Sequence, residues 1–194
     1  EKDWGKDWQE QFKQFSFYPI AAASIGQVHE AHTLDGRHLA LKIQYPGIKK
    51  TIDSDVDNLS SLLRLSRLVP KNVDLNPILQ EAKLQLHAEA NYEYEAVCLN
   101  QYQAHLKEDS RFLIPVQHFD LTSENILAMD FVQGEPIESR LHASQQERDF
   151  IMHALFELLF KEMFEFKLVQ TDPNFANYQY NPETKQIVLL DFGA

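Results

Sequence analysis

The pattern of apolar and polar positions over residues 18–45, "YPIAAASIGQVHEAHTLDGRHLALKIQY", includes β-branched residues and the alternating stretch "HLALKIQ". Such alternation is typical of strands. The Asp35-Gly36 pair in its middle is typical of a tight turn between two strands. We therefore predict a hairpin followed by a strand, with Pro46-Gly47 ending the strand. Residues 1–16 are polar with scattered aromatics and predict a helical or irregular lead-in.

The middle of the chain changes to a helical period. Apolar residues recur at steps of three and four from Ile48 to Leu63, which predicts an amphipathic helix up to Pro70. A second helical stretch is predicted from about Asn76 to about Lys107. After it, "FLIPV" and "ENILAMDFV" predict short strands, and "QGEP" predicts a break.

The last third of the chain opens on a helix start signal. Ser144 precedes Glu147 by three residues, a capping box in front of an apolar run. The helix that follows, to about Phe166, is apolar on most faces and is therefore predicted to be buried. Two strands, "NYQY" and "QIVLL", flank the Asn181-Pro182 turn.

This order of elements predicts an α+β fold with two lobes. Residues 1–132 form a small mixed N-lobe in this interpretation, and residues 133–194 form a hinge near Gln133–Pro136 and part of a mainly helical C-lobe. The 194 residues are enough for such a core, and the composition, 44% hydrophobic and 24% charged, is that of a globular chain.

Composition and charge exclude several classes of function. The net charge is −11 without a basic block, which argues against a nucleic-acid partner. Cys98 is the only cysteine, so the chain forms no internal disulfide and no multi-cysteine zinc site. No apolar run reaches the length of about 18–20 residues that a membrane helix needs, and no signal peptide is visible. The chain begins with Glu and ends with "DFGA", so we expect a domain from a longer protein.

Two motifs in the first third are typical of phosphate binding, although each has an ordinary structural alternative. "AAASIGQV" (21–28) has small residues at the spacing of the kinase Gly-rich loop, but it would also suit a packed turn. Lys42 lies fourteen residues after Val28 in an apolar strand, where it could reach phosphates or could be solvated beside Ala40 and Gln44.

Two acidic motifs follow. "EANYEYEAVC" (89–98) carries Glu89, Glu93 and Glu95. These glutamates either form a solvated face or include the carboxylate that orients Lys42. Asp172 precedes Asn177 by five positions, and Asp191 begins the final Asp-Phe-Gly. Turn chemistry alone could explain each of them, but in kinases such a set holds the nucleophile and Mg²⁺. The order of all four motifs along the chain favours one phosphate site over four coincidences.

The chain resembles the UbiB/AarF family of atypical kinases, also called aarF-domain-containing kinases. The segments "AAASIGQVHEA", "LALKIQYPGI", "EANYEYEAVC", "VQTDPNFANY" and "LLDFGA" carry the resemblance, which spans residues 17–194. The Ala-rich loop and "QTDPN" are specific to that family, and "AAASIGQVH" with "KIQYPGI" is most similar to members tied to ubiquinone biosynthesis. The resemblance implies a protein-kinase-like fold and an ATP-dependent phosphotransferase or ATPase.

The resemblance also implies roles for individual residues. It pairs Lys42 with Glu95, makes Asp172 the catalytic-loop acid, and makes Asn177 and Asp191 the ligands of Mg²⁺. It implies ATP contacts from Lys42 and from the loop residues Ala21, Ala22, Ala23, Ser24, Ile25, Gly26, Gln27 and Val28. It further implies lipid or lipid-biosynthesis proteins as partners at a membrane. The compartment would be the cytoplasm, or the mitochondrial matrix in a eukaryote.

The sequence departs from the family pattern in ways that keep other functions open. The family's E-x-D is Glu89-Ala90-Asn91 here, the K-x-G-Q segment is absent, and no residues follow Asp-Phe-Gly-Ala. Asn91 and the missing Arg before Asp172 favour a pseudokinase-like regulator, and a plain interaction domain is a third interpretation. The eight histidines form no H-E-x-x-H motif, so we predict no site for another metal.

Overall fold

The computed structural model describes residues 1–66, 74–170 and 174–193, which form a mixed α/β architecture as predicted. The strands are β1 (Phe12–Phe15), β2 (Ala21–Ala23), β3 (Gly26–Thr33), β4 (His38–Gln44), β5 (Phe112–Leu113), β6 (Ile126–Asp130), β7 (Glu135–Pro136), β8 (Tyr178–Asn181) and β9 (Gln186–Leu189). The α-helices are α1 (Ile48–Ser66), α2 (Asn76–Glu89), α3 (Tyr92–Leu106) and α4 (Gln145–Lys161). Short 3₁₀ turns lie at Trp8–Gln11, Ile137–His142 and Phe175–Asn177, and a π-helical turn at Glu162–Phe166 follows α4.

The first sheet is antiparallel, in the order β1-β3-β4-β6, with β2 also paired to β3. The predicted hairpin is confirmed, because β3 and β4 pair directly and the turn between them places Gly36 at φ 93°, which glycine adopts readily. The prediction for residues 1–16 is wrong in part. Residues Phe12–Phe15 form an edge strand, because β3 supplies their backbone partners.

The second sheet has the order β5-β9-β8-β7, with β5 parallel to β9 and the other pairs antiparallel. The predicted final hairpin is confirmed as β8 and β9. The segment "QGEP" contains the two-residue strand β7, which pairs with β8, so it is more than a break. "FLIPV" contributes only the two residues of β5.

The long helix predicted from about Asn76 to Lys107 is two helices, α2 and α3. The break lies at Ala90 and Asn91, where Gln44 Nε2 donates a hydrogen bond of 2.7 Å to the Ala90 carbonyl oxygen. The Asn91 side chain then caps α3 by accepting hydrogen bonds from the backbone N–H groups of Glu93 and Tyr94, at 3.1 and 3.3 Å. Helix α1 is described to Ser66, and its predicted continuation to Pro70 lies outside the described residues.

Helix α4 begins at its predicted cap, since the Ser144 hydroxyl accepts a hydrogen bond from the Glu147 N–H at 3.2 Å. The prediction that this helix is buried is wrong for most of its length. Within α4, Ile151, Ala154 and Leu158 are buried against α3 and β9, whereas Phe160 is 57% exposed. One face of the helix contacts the core, and its other faces have no covering element among the described residues.

The main core joins both sheets to the helices between them. Leu99 and Tyr102 of α3 pack with Leu158 of α4 and Ile187 of β9 in one buried cluster. This cluster draws on both sides of residue 133, so the division into lobes at that residue stays a prediction. No helix in the described ranges is both long enough and apolar enough to cross a membrane.

Candidate nucleotide site

The two sheets meet around a cavity of about 470 Å³, called here the central cavity. One wall comes from β2, β3 and β4 of the first sheet. The opposite wall comes from residues 174–179 and from Leu190 and Asp191, at the ends of β8 and β9. Residues 131–134, between β6 and β7, close the third side. Five separate segments of the sequence thus converge on one concave site.

The small-residue loop lies at the cavity, but not all of it lines the wall. The lining includes Ala21, Ala22, Ala23, Ser24 and Val28. Ile25 is buried in a core cluster with Ile52 and Tyr92, and neither Gly26 nor Gln27 lines the cavity.

Gly26 is required for packing. A Cβ atom at residue 26 would lie 2.3 Å from the backbone oxygen of Ile43 on β4, a distance that no side chain can occupy. The glycine therefore allows the start of β3 to approach β4. The loop residues that face the cavity include the three alanines but not the glycine.

Lys42 is buried at the cavity wall, which excludes a solvated lysine on the outer face of the sheet. It is 6% exposed, and its Nζ donates hydrogen bonds to both carboxylate oxygens of Glu95, at 2.7 and 3.0 Å. Glu95 is 1% exposed and lies in the first turn of α3, where the helix dipole favours a negative charge. The Asn91 cap that starts α3 thus places Glu95 opposite β4.

The other two glutamates of the motif have different surroundings. Glu93 is exposed, and Glu89 accepts a hydrogen bond from the hydroxyl of Ser24 in the loop. The sequence pattern alone could not show which of the three glutamates pairs with Lys42, because the helix break at Asn91 changes which of them faces β4.

Asp191 completes a cluster of charges. Its Oδ1 lies 3.4 Å from Lys42 Nζ and accepts a hydrogen bond of 3.2 Å from the Gly193 N–H. Two carboxylates therefore share one ammonium group, which leaves a surplus negative charge at the end of the central cavity.

The pKa values of these groups reflect their burial and pairing. Burial opposes the positive charge of Lys42, but Glu95 and Asp191 outweigh it and raise the pKa of Lys42 above its ordinary value. Burial also raises the pKa of Glu95, and Asp191 adds to this effect. At Asp191, burial is outweighed by Lys42 and by the Gly193 N–H, so its pKa is lowered. Asp191 is thus held as a carboxylate beside the cavity.

Asn177 reaches the same wall through strand register. It directly precedes β8, whose Tyr178 pairs with Leu189 of β9, and the Leu190 N–H donates to the Asn177 carbonyl oxygen at 3.0 Å. Asn177 and Asp191 both line the central cavity. Asp172, the predicted catalytic-loop acid, lies outside the described residues.

Sequence reasoning missed the contacts that hold this wall in place. Gln170 Nε2 donates to the Asp191 carbonyl oxygen at 3.0 Å. Behind it, the hydroxyl of Tyr102 donates to Glu162 at 2.9 Å, and Glu162 is 4% exposed. Burial raises the pKa of Glu162. The segment "KEMFEF" contains two glutamates, and the sequence does not show that Glu162 rather than Glu165 is the buried one or that its partner lies on α3.

The donor groups of this wall fit a hard divalent cation. Asp191 offers carboxylate oxygens, Asn177 has an amide oxygen, and Mg²⁺ prefers oxygen ligands with few protein carboxylates. The surplus negative charge around Lys42 also favours a cation. The residues present are therefore compatible with Mg²⁺.

Comparison with known proteins identifies the relatives of the chain. The model of the ABC1 atypical kinase-like domain matches residues 1–194. The yeast Saccharomyces cerevisiae protein "Atypical kinase COQ8, mitochondrial" is 42% identical over 193 residues, which are 100% of this chain and 38% of the relative. The zebrafish Danio rerio "Atypical kinase COQ8B, mitochondrial" is 38% identical over 194 residues, 100% of this chain and 31% of the relative. The chain thus spans about a third of the length of these curated relatives.

A solved structure has the same fold. The structure of an Rv3197–erythromycin complex from Mycobacterium tuberculosis matches with a TM-score of 0.81 at 27% identity, covering 99% of this chain and 49% of that one. The predicted kinase-like fold is confirmed.

Proposed function

Because the chain belongs to the ABC1 atypical kinase-like family, also called UbiB/AarF, we propose that it binds Mg-ATP as part of an atypical kinase or ATPase that supports ubiquinone biosynthesis. The observation that carries the proposal is the buried Lys42–Glu95–Asp191 cluster at the end of the central cavity. A lysine oriented by a helix glutamate, beside a carboxylate that can hold a metal ion, is the arrangement that kinases use for phosphates.

Each wall of the central cavity has a part in this proposal. The alanines of β2 cover the nucleotide, and Lys42 binds its phosphates while Glu95 fixes the position of the lysine. Asp191 and Asn177 would hold Mg²⁺, which neutralises phosphate charge when bound. Asp172 would position the group that attacks the terminal phosphate. Gln170, through its bond to the Asp191 backbone, keeps the metal-binding wall in place.

The pathway assignment has separate support. The segments "AAASIGQVH" and "KIQYPGI" are similar to the members tied to ubiquinone biosynthesis, and the yeast and zebrafish relatives bear the name COQ8. Both relatives are named mitochondrial, so for a eukaryotic source we propose the mitochondrial matrix. In this proposal the phosphoryl group is accepted by water or by a group on an isoprenoid lipid rather than by an ordinary peptide.

The nucleotide assignment is tested by thermal stabilisation with ATP, with and without Mg²⁺. We expect Asp191→Asn to abolish the extra stabilisation that Mg²⁺ gives to ATP, because the carboxylate that balances the ion is lost. Asp130→Asn is the matched control, since Asp130 also lines the cavity but is hydrogen-bonded to His118. A full Mg²⁺ effect in Asp191→Asn would contradict the assignment of the metal ligand.

A pseudokinase-like regulator that binds nucleotide without chemistry is the second candidate. Two features favour it: the Asn91 amide serves as a helix cap in place of the family's acid, and no Arg precedes Asp172. ATP turnover by the full-length protein and by its Asp172→Asn variant separates the two. Equal turnover in both, at the background rate, would favour the regulator.

The acceptor is tested with labelled ATP and the full-length protein. One reaction contains a broad peptide library, and another contains vesicles that carry isoprenoid phenols. We expect the vesicles to stimulate ATP consumption and the peptides to remain unlabelled. Efficient transfer to many peptides without a response to vesicles would instead indicate a general protein kinase.

A further inference from the structure

Three side chains on one face of the β3–β4 hairpin bring their polar atoms together. They are Glu30, His32 and His38, and one ligand atom from each lies within 4.8 Å of the other two. Glu30 Oε1 is 2.7 Å from His38 Nε2 and 3.8 Å from His32 Nε2. All three side chains are about one-third exposed, at 35–38%.

Strand register explains the convergence. Glu30 and His32 are two residues apart on β3, so their side chains point to the same face. His38 on β4 pairs directly opposite His32 across the hairpin. Facing residues on paired strands have Cβ atoms only about 5 Å apart. Three residues that match no linear motif thus form a compact group.

We propose that Glu30, His32 and His38 bind a divalent transition metal of the zinc type. Bonds of about 2.0–2.2 Å to imidazole nitrogen and carboxylate oxygen place neighbouring ligands of a tetrahedral ion roughly 3.4 Å apart. The separations of 2.7 and 3.8 Å to Glu30 lie on either side of this value. The two histidine side chains are partly exposed, and their rings would have to turn so that both nitrogens face the ion. Three protein ligands leave the fourth position to water.

The ligand types separate this site from the one for Mg²⁺. Imidazole nitrogen favours Zn²⁺, Cu²⁺ and Ni²⁺, whereas Mg²⁺ prefers oxygen alone. The hairpin group has two imidazoles and one carboxylate. The wall at Asp191 offers oxygen ligands.

Without an ion, the histidine rings are stacked on each other and on Phe131. The rings of His32 and His38 stack with centroids 4.1 Å apart, and His38 stacks on Phe131 at 4.3 Å. Phe131 lines the central cavity, so the site lies directly behind the segment between β6 and β7. Metal binding would replace this stacking, because an ion bonds to imidazole nitrogen in the plane of the ring and two nearly parallel rings cannot share one ion. The inference depends on this geometry and does not require the proposed function.

The test uses Zn²⁺ alone as the probe, with the metal-free full chain. Competition with a chromophoric chelator measures the affinity of the chain for Zn²⁺, and millimolar Mg²⁺ is present throughout. Replacing a residue that merely orients a metal ligand weakens metal binding by about 10–100-fold. We therefore expect His32→Ala, and the isosteric Glu30→Gln, each to weaken Zn²⁺ binding at least about tenfold. Melting in chelator verifies that both variants fold.

His153→Ala is the matched control. His153 is an exposed histidine with one carboxylate neighbour, Glu157, at 3.9 Å, and it belongs to no group of three ligands among the described residues. We expect it to keep the wild-type Zn²⁺ affinity. The visible absorption of bound Co²⁺ should appear in the wild type and disappear in His32→Ala. Unchanged Zn²⁺ affinity in both His32→Ala and Glu30→Gln, or an equal loss in His153→Ala, would overturn the proposal.

Discussion

The buried pair of Lys42 and Glu95 is the residue-scale feature on which the candidate site depends. Taking both charges out of water costs free energy, and two hydrogen bonds of 2.7 and 3.0 Å offset that cost only while both partners are present. Lys42 Nζ also lies 5.3 Å from the centre of the Tyr92 ring, a cation–π contact that favours the charged lysine. Losing either partner of the pair should therefore lower stability, apart from the role proposed for the pair in phosphate binding.

Removing the lysine alone should destabilise the fold. We expect Lys42→Met to lower the free energy of unfolding by about 3–5 kcal/mol at pH 8, because Glu95 is left as a buried charge without its cation. The double variant Lys42→Met/Glu95→Gln should recover part of this loss, since Glu95 then carries no buried charge and only Asp191 is left without the lysine. Urea unfolding measures the free energy of unfolding of both variants. Equal destabilisation in the single and double variants would show that lost packing, not charge, sets the cost.

The hairpin histidines show what residue-scale sequence reasoning cannot find. Searching the eight histidines for linear motifs predicted no site for another metal. Only the register of β3 and β4 shows that His32 and His38 lie side by side. Lys42 and Glu95, in contrast, could be paired from the order of motifs, because a known family supplies that order.

At the scale of elements, the sequence predicted the units whose signals are local. The β3–β4 hairpin has a turn pair and alternation, and α4 has its capping box. The break between α2 and α3 has a weaker local signal, because Asn91 is a favoured N-cap residue but the alanine and glutamate before it favour a continuous helix. It depends on Gln44 of β4 and on the Tyr92 N–H, which donates to the Glu124 carbonyl oxygen at 3.4 Å. Both contacts come from distant segments.

Asn91 links that break to the candidate site, and its role can be tested. We expect Asn91→Ala to lower the free energy of unfolding by about 0.5–2 kcal/mol, since α3 loses the side chain that caps two of its N–H groups. Asn91→Asp restores the family's acid and should keep the cap, because aspartate accepts the same bonds and suits the helix dipole. Thermal or urea unfolding distinguishes the variants. An alanine variant as stable as the wild type would contradict the capping role.

At the scale of the molecule, packing decides features that no single element predicts. The apolar pattern of α4 predicted burial on most faces, yet one face alone contacts α3 and β9. Strand β1 is recruited by β3 and by an aromatic cluster in which Trp8 lies 5.0 Å from Phe15, ring centre to ring centre. Both outcomes depend on which surfaces are adjacent in the fold, and amino-acid periodicity does not contain that information.

An ion-pair network also joins distant parts of the molecule. Arg111, before β5, contacts Asp109 at 2.6 Å and Glu157 of α4 at 2.7 Å. Lys161 contacts the same two carboxylates, at 3.2 and 3.1 Å. The hydrogen bonds from Arg111 and Lys161 lower the pKa of Glu157 to about 2 from 4.5. Arg111 and Lys161 also hold the pKa of Asp109 well below its ordinary value.

These lowered pKa values predict acid sensitivity. Between pH 4.5 and about pH 2 the unfolded chain protonates Glu157 while the folded chain keeps it charged, so this contribution to stability is present above pH 4.5 and is lost as the pH falls. We expect Glu157→Gln to flatten the fall in the free energy of unfolding over that range, measured by urea unfolding at several pH values. Glu183→Gln, in the β8–β9 turn, is the control and should keep the wild-type slope. Because the network is partly exposed, salt should weaken the effect. An identical slope in wild type and Glu157→Gln at low salt would exclude Glu157 as a source of acid sensitivity.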